Sequence, residues 1–212
     1  MSCEIVREGK ILPLEKIGHQ PVLPPDFGLA NCHFSCLATA INTLRGDFHE
    51  PICASDIEDA LSRRGVPDPS EYTRTLYLRK LLKIIKEEFG ADLMARDVGA
   101  WGDPRFLGVQ MMKKALGEGV LLAHFLPGQC GTWLKYFRGL RYEGSNKVIG
   151  HRVLITGYLR VRIGMVKETF FEVCDPYDGK IVTIRLEELF EALRVEGPLG
   201  IFFPLDLQLI SF

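Results

Sequence analysis

The chain has 212 residues, 47% of them apolar and 25% charged, with a formal net charge of −1. Those values bound it to a soluble globular protein with a substantial core, and to one domain spanning 1–212. A balance so close to neutral gives no reason to expect nucleic acid or an anionic membrane as partner. Met1 to Glu8 lacks the uninterrupted apolar stretch of a signal peptide, and no apolar run reaches membrane-spanning length. A cytoplasmic location is the resulting expectation, and there the six cysteines are expected mostly as thiols.

In chain order, 1–31 reads as an irregular segment, stiffened by Pro13, Pro21, Pro24 and Pro25. A first helix is predicted over about 32–44, where Phe34, Leu37, Ala38, Ile41 and Leu44 recur at three-and-four spacing after Asn31 as N-cap. Ser55 to Glu58 reads as a capping box, opening a second helix that runs to about Arg64 before Gly65. A third is predicted over about 71–89, stopped by Gly90, and a fourth over about 106–117.

From about 118 the pattern changes from helical to strand-like. Val120 to Phe125 is a short buried-strand run, and 127–148 is loop-rich. Strands are predicted over 151–160, 167–175 and 180–186, with Asp178-Gly179 as a hairpin turn. A short helix over 186–193 and a strand within 198–204 complete the pass. Helices first and strands afterwards predict an α+β fold, with a helical half (32–117) packed on an antiparallel sheet half (118–212) and a cleft between them.

Chemistry concentrates in three places. Cys32 stands where the first helix is predicted to open, so the helix dipole and orphan N–H groups would favour its thiolate and could bind a developing oxyanion. His151 begins one predicted strand and Asp175 ends another. Cysteine, histidine and aspartate in that order form a nucleophile, base and orienter set. Cys36, Cys53 and Cys174 sit in apolar contexts and read as small core residues.

The segment Asn31-Cys32-His33-Phe34-Ser35-Cys36-Leu37-Ala38 resembles the nucleophile region of the papain-like peptidases that cleave double-glycine leader peptides. His151-Arg152-Val153-Leu154 is similar to that family's histidine strand. Asp175-Pro176, Gly179-Lys180 and Leu186-Glu187-Glu188-Leu189-Phe190 are similar to its aspartate segment. The resemblance spans roughly 20–204 and implies a papain-like fold and a cysteine peptidase. Its catalytic residues would be Cys32, His151 and Asp175, working through a thioester acyl-enzyme on a peptide or other acyl-donor substrate, with no cofactor.

Two positions depart from the family pattern. His33 replaces the glycine after the nucleophile, and Asp26 stands where the family places a glutamine that donates to the oxyanion. An ionised carboxylate cannot donate, which leaves Gln20 as the candidate donor and Asn31 and His33 as candidate substrate contacts. An acyltransferase on the same triad and a non-catalytic peptide-binding module are the alternative expectations.

Other histidines and aromatics carry less. His124 lies inside an apolar strand and reads as core, and His19 is a weak candidate for lining the cleft. Trp101 and Trp133 read as core anchors ahead of substrate contacts. A zinc site from Cys32, His33 and Cys36 is disfavoured. Cys32 and Cys36 share a helix face whereas His33 is turned about 100° away, and no second cysteine pair has zinc-ribbon spacing. No metal is expected. Composition and motifs leave the oligomeric state open.

Overall fold

The computed structural model describes residues 3–6, 28–46, 51–68, 72, 75–98, 107–125, 151–163, 165–175, 181–196, 202–204 and 207–212. Their order is β1 (Cys3–Val6), α1 (Gly28–Arg45), α2 (Ala54–Arg63), α3 (Thr75–Phe89), β2 (Met94–Asp97), α4 (Leu107–Leu116) and β3 (Val120–Phe125). There follow β4 (His151–Ile163), β5 (Val166–Cys174), β6 (Ile181–Arg185), α5 (Leu186–Leu193), β7 (Arg194–Glu196), β8 (Phe202–Pro204) and β9 (Leu207–Ser211).

Seven strands make one antiparallel sheet in the order β2-β9-β3-β4-β5-β6, with β1 added alongside β4. β4 is long enough to serve two neighbours on one side. Its first residues pair with β3 (Phe125 opposite His151), and its last with β1 (Val6 opposite Arg160). A register shift between Ile155 and Gly157 interrupts the β4–β5 ladder, the kind of irregularity that adds local twist to a long strand. β7 and β8 form a separate two-stranded ribbon.

Strand alternation divides the apolar residues between two cores. Leu122, Leu154, Cys174 and Ile210 face α1, α2 and α3, together with Phe34, Leu37, Ile57, Leu81 and Ile85. Leu121, Val153, Ile155, Val173 and Leu209 face the other way, against Met112 and Leu116 of α4 and Leu189 of α5. Covered on both faces, β3 reads as a continuous apolar run, with Val120 to Ala123 fully buried. The fold is α+β, as expected. The expected opposition of a helical half and a sheet half is replaced among the described residues by a sheet with helices on both faces, because α4 crosses to the face opposite α1–α3.

Local differences from the sequence reading have physical causes. α1 begins at Gly28, four residues before Cys32, since Leu29 and Ala30 are strong helix formers. Asn31 is therefore inside the helix and is not its cap. The segment 1–31 is also not wholly irregular, as it contains β1 and the start of α1.

α2 begins at Ala54 with Cys53 as N-cap. The box residue is Asp56, whose carboxylate accepts from the Cys53 N–H at 2.7 Å. α3 ends as expected at Gly90, whose φ of 67° suits a residue without a side chain. β2 and β9 pair with each other and had no counterpart in the sequence reading.

Candidate functional site

Every residue of α1 from Cys32 to Thr43 is shielded from solvent. Two of its buried polar side chains, Thr39 and Asn42, are hydrogen-bonded. Thr39 Oγ1 donates to the Ser35 carbonyl at 2.8 Å. Asn42 donates through Nδ2 to the Ile52 carbonyl at 2.9 Å and accepts from the Ile52 N–H through Oδ1 at 2.9 Å. That two-way bond ties α1 to the segment entering α2.

The Cys32 end of α1 meets the start of β4 and the end of β5. Cys36 shares a helix face with Cys32 and is fully buried against Leu154 and Cys174. Burial pushes the Cys36 thiol well above its ordinary value, and the nearby Cys32, Cys174 and Asp175 push it the same way, whereas Arg152 pulls it down. Cys32, Asp175 and Arg152 thus all lie within electrostatic reach of one thiol. Asp175 is buried (1% exposed), as is Arg152 (5%). Arg152 alternates with Val153 and so shares the α1 side of β4 with Leu154.

His151 is the first residue of β4, opposite Phe125. With Cys174 opposite Leu154, continuing the β4–β5 register brings the Asp175 backbone alongside Val153, two residues from His151. The three sequence-predicted triad positions therefore occupy one end of the sheet: the exit of β5, the entry of β4, and the first turns of α1 above them.

The other predicted residues fare differently. Cys32 is only 3% exposed. Its position as fifth residue of α1 places its N–H opposite the Gly28 carbonyl in the helical ladder, so the expectation that this N–H serves an oxyanion is corrected. His33 is fully buried, its ring centroid 5.9 Å from that of Phe34, and so packs within the molecule rather than lining an open surface. Asn31 lies in the first turns of α1. Gln20, Asp26, His19, Trp101 and Trp133 lie outside the described residues.

Arg152 is the site residue that sequence reasoning passed over. Its signal was present in a charged residue inside the apolar strand His151 to Ile155, since a buried cation on a two-sided strand needs a polar neighbourhood to face. Cys32, Cys36 and Cys174 are thiols, as is the exposed Cys53. Among the described residues no group of three or more His, Cys, Asp or Glu side chains is arranged to hold a metal ion. No described helix is long and apolar enough to cross a membrane.

A scan against protein-family models finds no match to this chain, and neither does a search of curated proteins.

Proposed function

We propose that the protein is a papain-like cysteine peptidase that uses Cys32 as nucleophile, His151 as base and Asp175 as orienter of the imidazole. The observation that carries this reading is the convergence of Cys32 and Asp175 on the buried Cys36, beside the strand that His151 opens. These positions are 143 residues apart in the chain, yet both act electrostatically on the same thiol. Support also comes from the two cysteines on α1. Burial and the surrounding charges hold the Cys36 thiol protonated, and Cys32, one turn earlier, is the one nearer the start of the helix.

In the reaction, His151 takes the Cys32 proton and the thiolate attacks the substrate carbonyl carbon. The tetrahedral intermediate collapses as the imidazolium gives its proton to the leaving amine, and a thioester remains on Cys32. Water, deprotonated by the same histidine, releases the acid and restores the thiol. An amine in place of water would make the enzyme an acyltransferase, and the product mass distinguishes the two. Because the Cys32 N–H belongs to the helix, the oxyanion requires a side-chain donor, for which Gln20 remains the candidate.

A Cys32→Ala variant tests this on a peptide-amide substrate mixture. The expected result is complete loss of turnover with a Tm within about 4 °C of wild type, because little volume is removed. Retained turnover contradicts the assignment.

A second reading, a non-catalytic peptide-binding module, is favoured by one specific observation: Cys32 and His33 are both buried. Under that reading Cys32→Ala leaves peptide binding intact, and no acyl adduct forms on the wild-type chain.

A further inference from the structure

The far edge of the sheet carries a different surface, separated from β4 by β9 and β3. There α3 packs against β2, and the two line an open groove of about 370 Å³ with Leu82, Met94 and Ala95 as apolar lining, and with the cations Arg79, Lys83 and Lys86 and one acid, Asp92. Arg79, Lys83 and Lys86 recur at helical spacing, which sets three cations along one side of α3. Lys86 is paired with Asp92 at 2.5 Å, and Lys83 lies 4.0 Å from Glu87. Arg79 has no ion-pair partner among the described residues. Met94 is 60% exposed, an unusual fraction for an apolar strand residue.

The backbone of β2 adds the second half of the argument. Val98 N–H donates to the Leu207 carbonyl at 2.9 Å, which makes Val98 and Leu207 a hydrogen-bonded pair. Stepping by two along the register makes Arg96–Leu209 and Met94–Ser211 bonded pairs as well. Ala95 and Asp97 are then the non-bonded positions, and their N–H and C=O groups point away from β9 towards the outer edge of the sheet. Among the described residues no strand pairs with that edge. A basic rim therefore stands directly above an edge with hydrogen-bonding groups aimed outward.

We infer that the β2 edge and the α3 rim together bind an extended acidic peptide segment of a partner protein by strand addition. The peptide backbone pairs with Ala95 and Asp97. A carboxylate side chain opposite Ala95 lies on the α3 side of the sheet, under Arg79 and Lys83, because residues directly opposite on paired strands share a face. Asp97, whose carboxylate accepts from Gln208 Nε2 at 3.2 Å, sets polarity: the acidic residues belong at the Met94 end. A second copy of this chain fits less well, since two-fold pairing of β2 edges would bring two sets of rim cations together.

The test is fluorescence anisotropy on the full chain with two fluorescein-labelled peptides of alternating Val/Glu and Val/Lys sequence. Binding of the Glu peptide at least tenfold tighter than the Lys peptide is expected. Arg79→Glu with Lys83→Glu should weaken the Glu peptide at least tenfold. Ala95→Pro, which removes an outward N–H without touching the ladder to β9, should abolish its binding. Circular dichroism and Tm identify any variant that fails to fold, and the charge-reversal pair on the exposed rim keeps the test decisive if Ala95→Pro does not fold. Equal affinity for the two peptides overturns the inference, as does no binding of the Glu peptide or indifference to the rim variants. So does a concentration-dependent dimer in sedimentation that Ala95→Pro dissolves.

Discussion

Asn42 is the residue whose replacement reports most clearly on how α1 is held. Its amide serves both the N–H and the C=O of Ile52, each at 2.9 Å, in a buried position. Asn42→Leu keeps the side-chain size but leaves two buried backbone groups without partners, at about 1–3 kcal/mol each. Added apolar burial offsets part of this, so a net loss of about 2–4 kcal/mol is expected. For a chain of this length that lowers Tm by about 5–15 °C.

Asn42→Asp separates the two bonds. It keeps the acceptor for the Ile52 N–H but turns a carboxylate oxygen towards the Ile52 carbonyl, and burial raises the folded-state pKa of the new acid above its unfolded value. The protonated form is then favoured in the folded state, so stability is lost as pH rises through the folded pKa and partly recovered in acid. Urea unfolding at several pH values, with the slope checked for constancy, gives both magnitudes. An Asn42→Leu loss below about 0.5 kcal/mol, or an Asn42→Asp variant with no acid recovery, would refute the reasoning.

Two further perturbations test the packing and the electrostatics. A Cβ at Gly119 would lie 2.1 Å from the Ile210 carbonyl oxygen, so Gly119→Ala must push β9 away from β3. A loss of about 1–3 kcal/mol in urea unfolding is expected, and an unchanged midpoint would mean that β9 is not seated there. Glu58 has a raised pKa because of burial first and the neighbouring Asp59 second. Its ionised form therefore opposes folding above that pKa, and Glu58→Gln should stabilise near neutral pH, with the gain vanishing below about pH 4. A gain that persists or grows in acid contradicts the sign.

The elements that sequence periodicity located are those that local chemistry determines. Gly90 ends α3 because its conformation favours glycine. Val120 to Ala123 reads as a buried strand because it is covered on both sides. β2 was missed because Met94-Ala95-Arg96-Asp97 has little strand propensity and exists through pairing with β9, more than a hundred residues later. The start of α1 was misplaced by the weight given to Asn31 as a cap, when Leu29 and Ala30 carry the helix past it.

At the site, the order of Cys32, His151 and Asp175 was legible, but the placement of these positions at one end of the sheet was not, since it depends on how β4 and β5 pair. The burial of His33 was equally invisible, because it is polar in composition and is covered only by tertiary packing.

The measurement that bears most directly on the catalytic reading is the rate of iodoacetamide alkylation at each cysteine of the native chain, resolved by mass spectrometry across pH. Exposure alone ranks Cys53 far above Cys32, since Cys53 is exposed and Cys32 is 3% exposed. An activated nucleophile reverses that order near neutral pH, with the Cys32 rate already at its plateau below about pH 8 and lowered by His151→Ala. Cys32 reacting more slowly than Cys53, with an ordinary thiol pH profile indifferent to His151→Ala, contradicts the account.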